Sequence, residues 1–291
     1  MKYVSFPGAV MLAGVAQLLS KAGIDTDDLQ ITLDMEAPYL LLYDEGTYRT
    51  GAGLFTCKWI NQLYLLPKGF RLVETRLPQS AVPAFLRTHT SVLLYLEVAN
   101  TLRHMVVFDA YRQGRYEFIN LKIETSREPD HISLSMPMLK RRLKETVILL
   151  TLEPCSPEPS NIPSLLLQTM DTIKHYYADL LKHRELTVTR EELQELHKPL
   201  FRALMQDMLP MAALIGDESL LAELEELRHD YTHIFYKENM IQAALYDFLP
   251  RGSIARCLIW MRENVMDRYY TYVPEAPMFE VSKEEEKNRL V

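Results

Sequence analysis

The chain has 291 residues, 48% hydrophobic and 24% charged, with a formal net charge of -7. This composition excludes a mainly disordered chain and gives room for one large domain or two ordinary ones. The acidic balance supplies no overall attraction to phosphate backbones or anionic lipid, so nucleic acid and membrane are not expected partners.

The N-terminal run VSFPGAVMLAGVAQLL follows Lys2 and has the look of a secretory leader, but Pro7, Gly8 and Gln17 interrupt it. It reads instead as a helix over residues 9–22. Ala9, Ala13 and Ala16 form a small-residue face, Leu12, Val15, Leu18 and Leu19 widen the apolar stripe, and Gly23 stands where a left-handed cap is wanted. Residues 25–29 predict the cap and first turn of a second helix. The stretch DEGTYRTGAGLF follows; without a lysine–serine ending it is no phosphate loop, and it reads as an ordinary or groove-lining loop. A helix over 57–66 stops at Pro67, Lys68 and Gly69, and residues 70–74 predict a short strand.

Strand patterns come next. Residues 91–98 (SVLLYLEV) are apolar enough to be buried on both faces. HMVVFDAYR and RYEFINLKI flank Gln113 and Gly114, a two-residue hairpin signal. Ser135 suits the N-cap of a helix with Pro137 in its first turn, and Lys140, Arg141, Arg142 and Lys144 read as its solvated basic end. VILLTL predicts a last strand. Helices followed by an antiparallel sheet imply an α+β domain over 1–152. Pro154, Pro157, Pro159 and Pro163 mark a linker over 153–163. Residues 164–273 then show helical spacing only, broken by Pro199, Pro210 and Pro250 into an all-α domain of about four or five helices. The tail 274–291 is charged. No stretch reaches the run of about 18 apolar residues that spans a bilayer. Cys57, Cys155 and Cys257, with no CxxC spacing, point away from disulfides and structural zinc and towards a cytoplasmic location.

His104 opens a predicted strand, where an imidazole can project over the end of a sheet and take a proton near neutral pH. Asn120 ends the paired strand and could fix the ring's tautomer; equally, the two could be a strand-edge histidine and a turn asparagine. A two-residue hairpin pairs residues whose numbers sum to about 227, which sets Asn120 opposite Val107. The order of GAVMLAGVAQLLSKAGI, a glycine-containing middle and RHMVVFDAYRQGRYEFIN resembles the papain-like peptidase C39 family, especially the C39-like domains of butirosin-biosynthesis-type proteins. The resemblance covers residues 1–150. It implies a papain-like frame in which His104 faces the start of the first helix across a cleft, with a helical region after it. The family motif begins C-x-x-x-x-L-A-x-x-L-x-x-x-G. Its cysteine would fall within residues 7–10 here, where FPGAV holds no cysteine, serine or threonine, and the upstream oxyanion glutamine is missing too.

The resemblance therefore implies a degenerate, non-catalytic protein that binds a peptide or an acyl or aminoacyl group beside a biosynthetic pathway, without metal or cofactor. Two alternatives stay open. Cys57, at the start of its helix, or Ser5 could serve His104 as nucleophile in a cysteine-type acyltransferase or peptidase; Cys57 is equally a small buried residue. In the second half, Glu226, His229 and His233 share a helix face and could hold a metal, but Glu-x-x-His occurs once where carboxylate-bridged sites need it twice. A solvated charged face fits the same residues.

Overall fold

A computed structural model of the chain describes residues 10–44, 46–50, 54, 58–99, 102–120, 130–185, 209, 212–213, 216, 218–232 and 253–275. In chain order they form α1 (Val10–Lys21), α2 (Asp28–Asp34), β1 (Leu41–Asp44), β2 (Thr47–Thr50), α3 (Lys58–Leu65), β3 (Phe70–Pro78), α4 (Val82–Thr88) and β4 (Val92–Ala99). Then come β5 (Leu102–Arg112), β6 (Arg115–Asn120), β7 (Asp130–Ser135), α5 (Met136–Arg142), β8 (Thr146–Pro154), α6 (Ile162–Glu185), α7 (Glu218–Thr232) and α8 (Ser253–Tyr272). The fold is mixed α and β with antiparallel sheets. Contacts divide it into two units, residues 1–35 with 52–160, and residues 36–51 with 161–291. The sequence reading keeps 36–51 with the N-terminal module; the contacts group this excursion with the C-terminal helices, for reasons given below.

The first unit is built on a six-stranded sheet of order β3-β8-β4-β5-β6-β7. The strand latest in sequence, β8, lies between β3 and β4, and pairs with β3 without interruption from Phe70↔Pro154 to Pro78↔Thr146. One face of the sheet carries Leu94, Leu96, Val106, Phe108, Tyr116 and Phe118. These pack with Val82 and Leu86 of α4 and Leu139 of α5 in one buried cluster. Phe108 and Phe118 meet edge to face at 5.5 Å between centroids; burying each ring stabilises the unit by about 1.5–3 kcal/mol. Arg87 Nε donates to the hydroxyl of buried Tyr116 at 3.1 Å, so that oxygen is not orphaned.

The alternate residues Leu93, Met105, Val107 and Leu150 are buried on the opposite face. That face belongs to α1, which contacts β4, β5 and β8 but adds nothing to the first cluster. Lys21, at the end of α1, also forms an ion pair with the Asp109 carboxylate of β5. The end of α1 follows its local signals. Gly23 has φ +88°, Ile24 N–H donates to Leu19 O and Gly23 N–H to Ser20 O. This is the double bond pattern of a left-handed glycine cap. Asp27 caps α2 by accepting from Gln30 N–H at 2.8 Å.

The second unit pairs the β1–β2 hairpin from Leu41↔Thr50 to Asp44↔Thr47. Its partners come from far along the chain. Leu41 N–H donates to the fully buried Thr169 Oγ1 at 3.2 Å, and the Tyr48 hydroxyl donates to Asp179 Oδ2 at 2.6 Å. Tyr48 also packs edge-on to buried Tyr176, with centroids 4.7 Å apart. These contacts to α6 explain why residues 36–51 leave the N-terminal unit. Glu36, 8% exposed, lies near Arg268 Nε of α8 (3.6 Å) and accepts from the Tyr272 hydroxyl at 3.3 Å. The helices α6 and α8 pack on each other.

Candidate functional site

His104 pairs with Leu96 on β4 and is half-buried. Asn120 ends β6, is 3% exposed, and pairs with Val106 on one side and Asp130 on the other. The expected partner, Val107, is therefore off by one. Near the turn the ladder keeps the expected sum: Arg112↔Arg115, Tyr111↔Tyr116 and Ala110↔Glu117. Between Phe108 and Ala110 the register shifts, and Phe108 pairs with Phe118. Asp109 is the extra residue of a β-bulge, which lets two residues on one strand oppose one on its partner.

That one-residue slip decides which side chains meet. Opposite Val107, Asn120 would sit on the face away from His104, because successive strand residues alternate faces. Opposite Val106, it shares the face of His104. The two are diagonal neighbours on adjacent strands, which sets their Cα atoms about 7–8 Å apart. The structure thus brings His104 and Asn120 onto one face, the face of Leu96, Val106 and Phe108, whose helices are α4 and α5.

The same parity separates His104 from α1. That helix covers the Met105 and Val107 face, so the sheet stands between the imidazole and the helix that the family resemblance sets opposite it. Its first turn, Val10 to Ala13, carries no hydroxyl or thiol. Cys57 and Ser5 lie outside the described residues, as does His233. Cys155 is a free, half-buried thiol after β8. Glu226 and His229 are both exposed on α7. Among the described residues no group of three His, Cys, Asp or Glu side chains could hold a metal ion. Among the described residues, too, no helix is long and apolar enough to cross a membrane. Lys140 and Arg141 are exposed at the end of α5, as a solvated helix terminus would be.

One feature of Asn120 has no counterpart in its sequence pattern. Its Oδ1 is buried and finds no hydrogen-bond partner among the described residues. A buried amide oxygen without a donor costs about 1–3 kcal/mol. An N–H or O–H brought to this oxygen would remove that cost, but the oxygen is itself buried, whereas the half-buried His104 on the same face keeps some exposure. No protein-family model and no curated protein matches this chain.

Proposed function

We propose that this chain is a non-catalytic binding protein; the papain-like, C39-like frame that its sequence resembles is not carried over, because that frame would set His104 opposite α1. The protein holds a peptide or an acyl or aminoacyl group at the sheet face shared by His104 and Asn120. One observation carries the reading: the strand register gathers His104 and Asn120 on one face while α1 packs on the other. A nucleophile on α1 could not pass its proton to this imidazole through the sheet, since general-base transfer needs heavy atoms about 2.6–3.2 Å apart. Asn120 Oδ1, without a partner among the described residues, supplies the complementary part, an acceptor suited to the N–H of an amide ligand.

The test pairs a turnover assay with a binding assay on the full chain. The probes are an N-acetylcysteamine acyl thioester and N-acetylglycinamide. Thioester loss is expected to run at the same rate with the wild-type chain and with His104→Ala. Adding the amide should shift the Asn120 side-chain NH₂ resonances, and its effects on neighbouring signals should vanish in Asn120→Val. Turnover abolished by His104→Ala would overturn the non-catalytic reading; an Asn120 resonance indifferent to the amide would remove its ligand.

A further inference from the structure

We propose that the outer edge of β3 receives an extended peptide as an added antiparallel strand, paired through the backbones of Glu74 and Arg76. This surface is separate from His104 and Asn120 and does not rest on the reading of that pair.

The argument starts from hydrogen-bond alternation. In an antiparallel pair, every second residue exchanges its N–H and C=O with the partner strand, and the residues between point theirs the other way. Two bonds beyond the ends of β3 fix the phase: Cys155 N–H donates to Gly69 O at 2.8 Å, and Gln79 N–H to Glu145 O at 2.8 Å. With the unbroken β3–β8 register, the odd-numbered residues Arg71, Val73, Thr75 and Leu77 bond to β8. The even-numbered Leu72, Glu74 and Arg76 face outward. Leu72 confirms the phase directly, because its N–H donates to Gln62 Oε1 on α3 at 2.9 Å rather than to β8.

Among the described residues the edge is closed at both ends and nothing pairs with it between them. Gln62 occupies the Leu72 donor, and Pro78 has no N–H to offer. Between these stops, residues 73–77 hold no proline and no bulge, two of the devices that natural edges use against strand addition, and the charges of Glu74 and Arg76 offset each other in an ion pair. The opposite edge differs: Arg115 Nη2 donates to the Ser133 carbonyl of β7 at 2.8 Å, and Nε to its hydroxyl at 2.6 Å. In the six-strand order no described strand lies beyond β3.

Side chains specify the occupant. Glu74 and Arg76 share one face and pair with each other, Arg76 Nε to Glu74 Oε1 at 2.7 Å, with Arg76 69% exposed. An incoming antiparallel strand would meet them with an acidic residue opposite Arg76 and a basic one opposite Glu74. On the other face Val73, Thr75 and Leu77 are half-buried, which favours branched apolar neighbours. The edge thus fits a five-residue segment of the pattern apolar–acidic–apolar–basic–apolar, a strand-addition mode of recognition.

The probe is acetyl-Val-Glu-Val-Lys-Val-amide, titrated into the full chain while backbone amide exchange is followed by NMR. At ten times its dissociation constant, exchange at the Glu74 and Arg76 amides should slow about tenfold. The Val73 and Thr75 amides, already bonded to β8, should not change. N-methylation of the peptide's Glu and Lys amides should abolish the protection, and N-methylation of its central Val should leave it. Glu74→Pro deletes an outward N–H without touching the β8 ladder and should also abolish it; because that variant can disturb folding, the methylated peptides give the same answer on the unaltered chain. Absence of protection, or protection that survives methylation at Glu and Lys, would overturn the proposal. So would a homodimer formed through β3 that excludes the peptide.

Discussion

Asn120→Val should make the protein more stable, although it removes a polar side chain next to the candidate site. Asn120 Oδ1 is buried and has no hydrogen-bond partner among the described residues, and Asn120 as a whole is 3% exposed. Removing an unsatisfied acceptor recovers its desolvation penalty, about 1–3 kcal/mol. Valine also suits a strand and its branched side chain fits beside Val106 and Phe118, adding up to about 1 kcal/mol. Some of this is lost to imperfect packing, so the expected net gain is about 2 kcal/mol. In a unit of this size that raises the melting temperature by about 4–8 °C. Asn120→Ala removes the same oxygen but leaves unfilled space, and should gain less or nothing. The assay is native-state amide exchange of the slowest β5 and β6 amides, which reports the opening of this unit without assuming that the whole chain unfolds in one step. A loss of 1 kcal/mol or more in Asn120→Val, an estimate set by the size of a typical net hydrogen bond, would show that the amide is already satisfied in the folded chain. The ligand-acceptor role assigned to it would then fall. A gain would show the native residue retained at a cost to stability, the pattern expected of a functional position.

Three other outcomes follow from the geometry. Deleting Asp109 should close the bulge and keep the Phe108↔Phe118 and Ala110↔Glu117 pairs, seen as cross-strand NOEs, with only the Lys21 ion pair lost, up to about 1 kcal/mol for a partly exposed pair. Tyr48→Phe should cost about 1–2 kcal/mol at neutral pH, the worth of a hydrogen bond to a carboxylate, read from urea midpoints. Burial first, and then Asp179, hold the Tyr48 phenol above the ordinary tyrosine range. The unfolded phenol ionises first, near about pH 10, so the wild-type chain keeps this stability below that pH and loses it as pH rises further; Tyr48→Phe should flatten that alkaline loss. Arg268→Met should destabilise the second unit by about 1–2 kcal/mol, less than a fully buried pair because the Arg268 side chain is 45% exposed. Adding Glu36→Gln should restore part of it in a double-mutant cycle.

The features legible in the sequence are those written in a few neighbouring residues. Gly23 after a stripe of Leu and Val predicts the cap that α1 has, and Gln113–Gly114 predicts a turn in which both residues take positive φ, +51° and +78°. The halt at Pro67–Gly69 is likewise local: α3 passes into a 3-10 turn, and Gly69 takes φ +78°. What could not be read depends on distance or on a single count. Nothing in VILLTL says that β8 slips between β3 and β4, because strand order is set by contacts far along the chain. The stretch at residues 44–55 reads as a glycine-containing loop, and the β2 strand inside it is not legible because the partners that hold the hairpin, Thr169 and Asp179, stand more than a hundred residues later. Short elements such as α4 and β7, of seven and six residues, carry too few periods to be seen. His104 and Asn120 were visible as residue types, but their shared face was not: MVVFDAYR alternates the same way whether or not Asp109 is squeezed out of the ladder.

The excursion at residues 36–51 also sets a timetable for a chain emerging from the ribosome. Tyr48 and Asp179 are separated by 131 positions, and synthesis adds roughly 5–20 residues each second. The tyrosine is thus made roughly 7–26 s before its acceptor exists, an interval long enough for the intervening sheet to form first. A nascent chain halted before α6 would hold its sheet strands complete while Tyr48 still lacked Tyr176 and Asp179, leaving a sticky ring that finds its native neighbours only when α6 arrives.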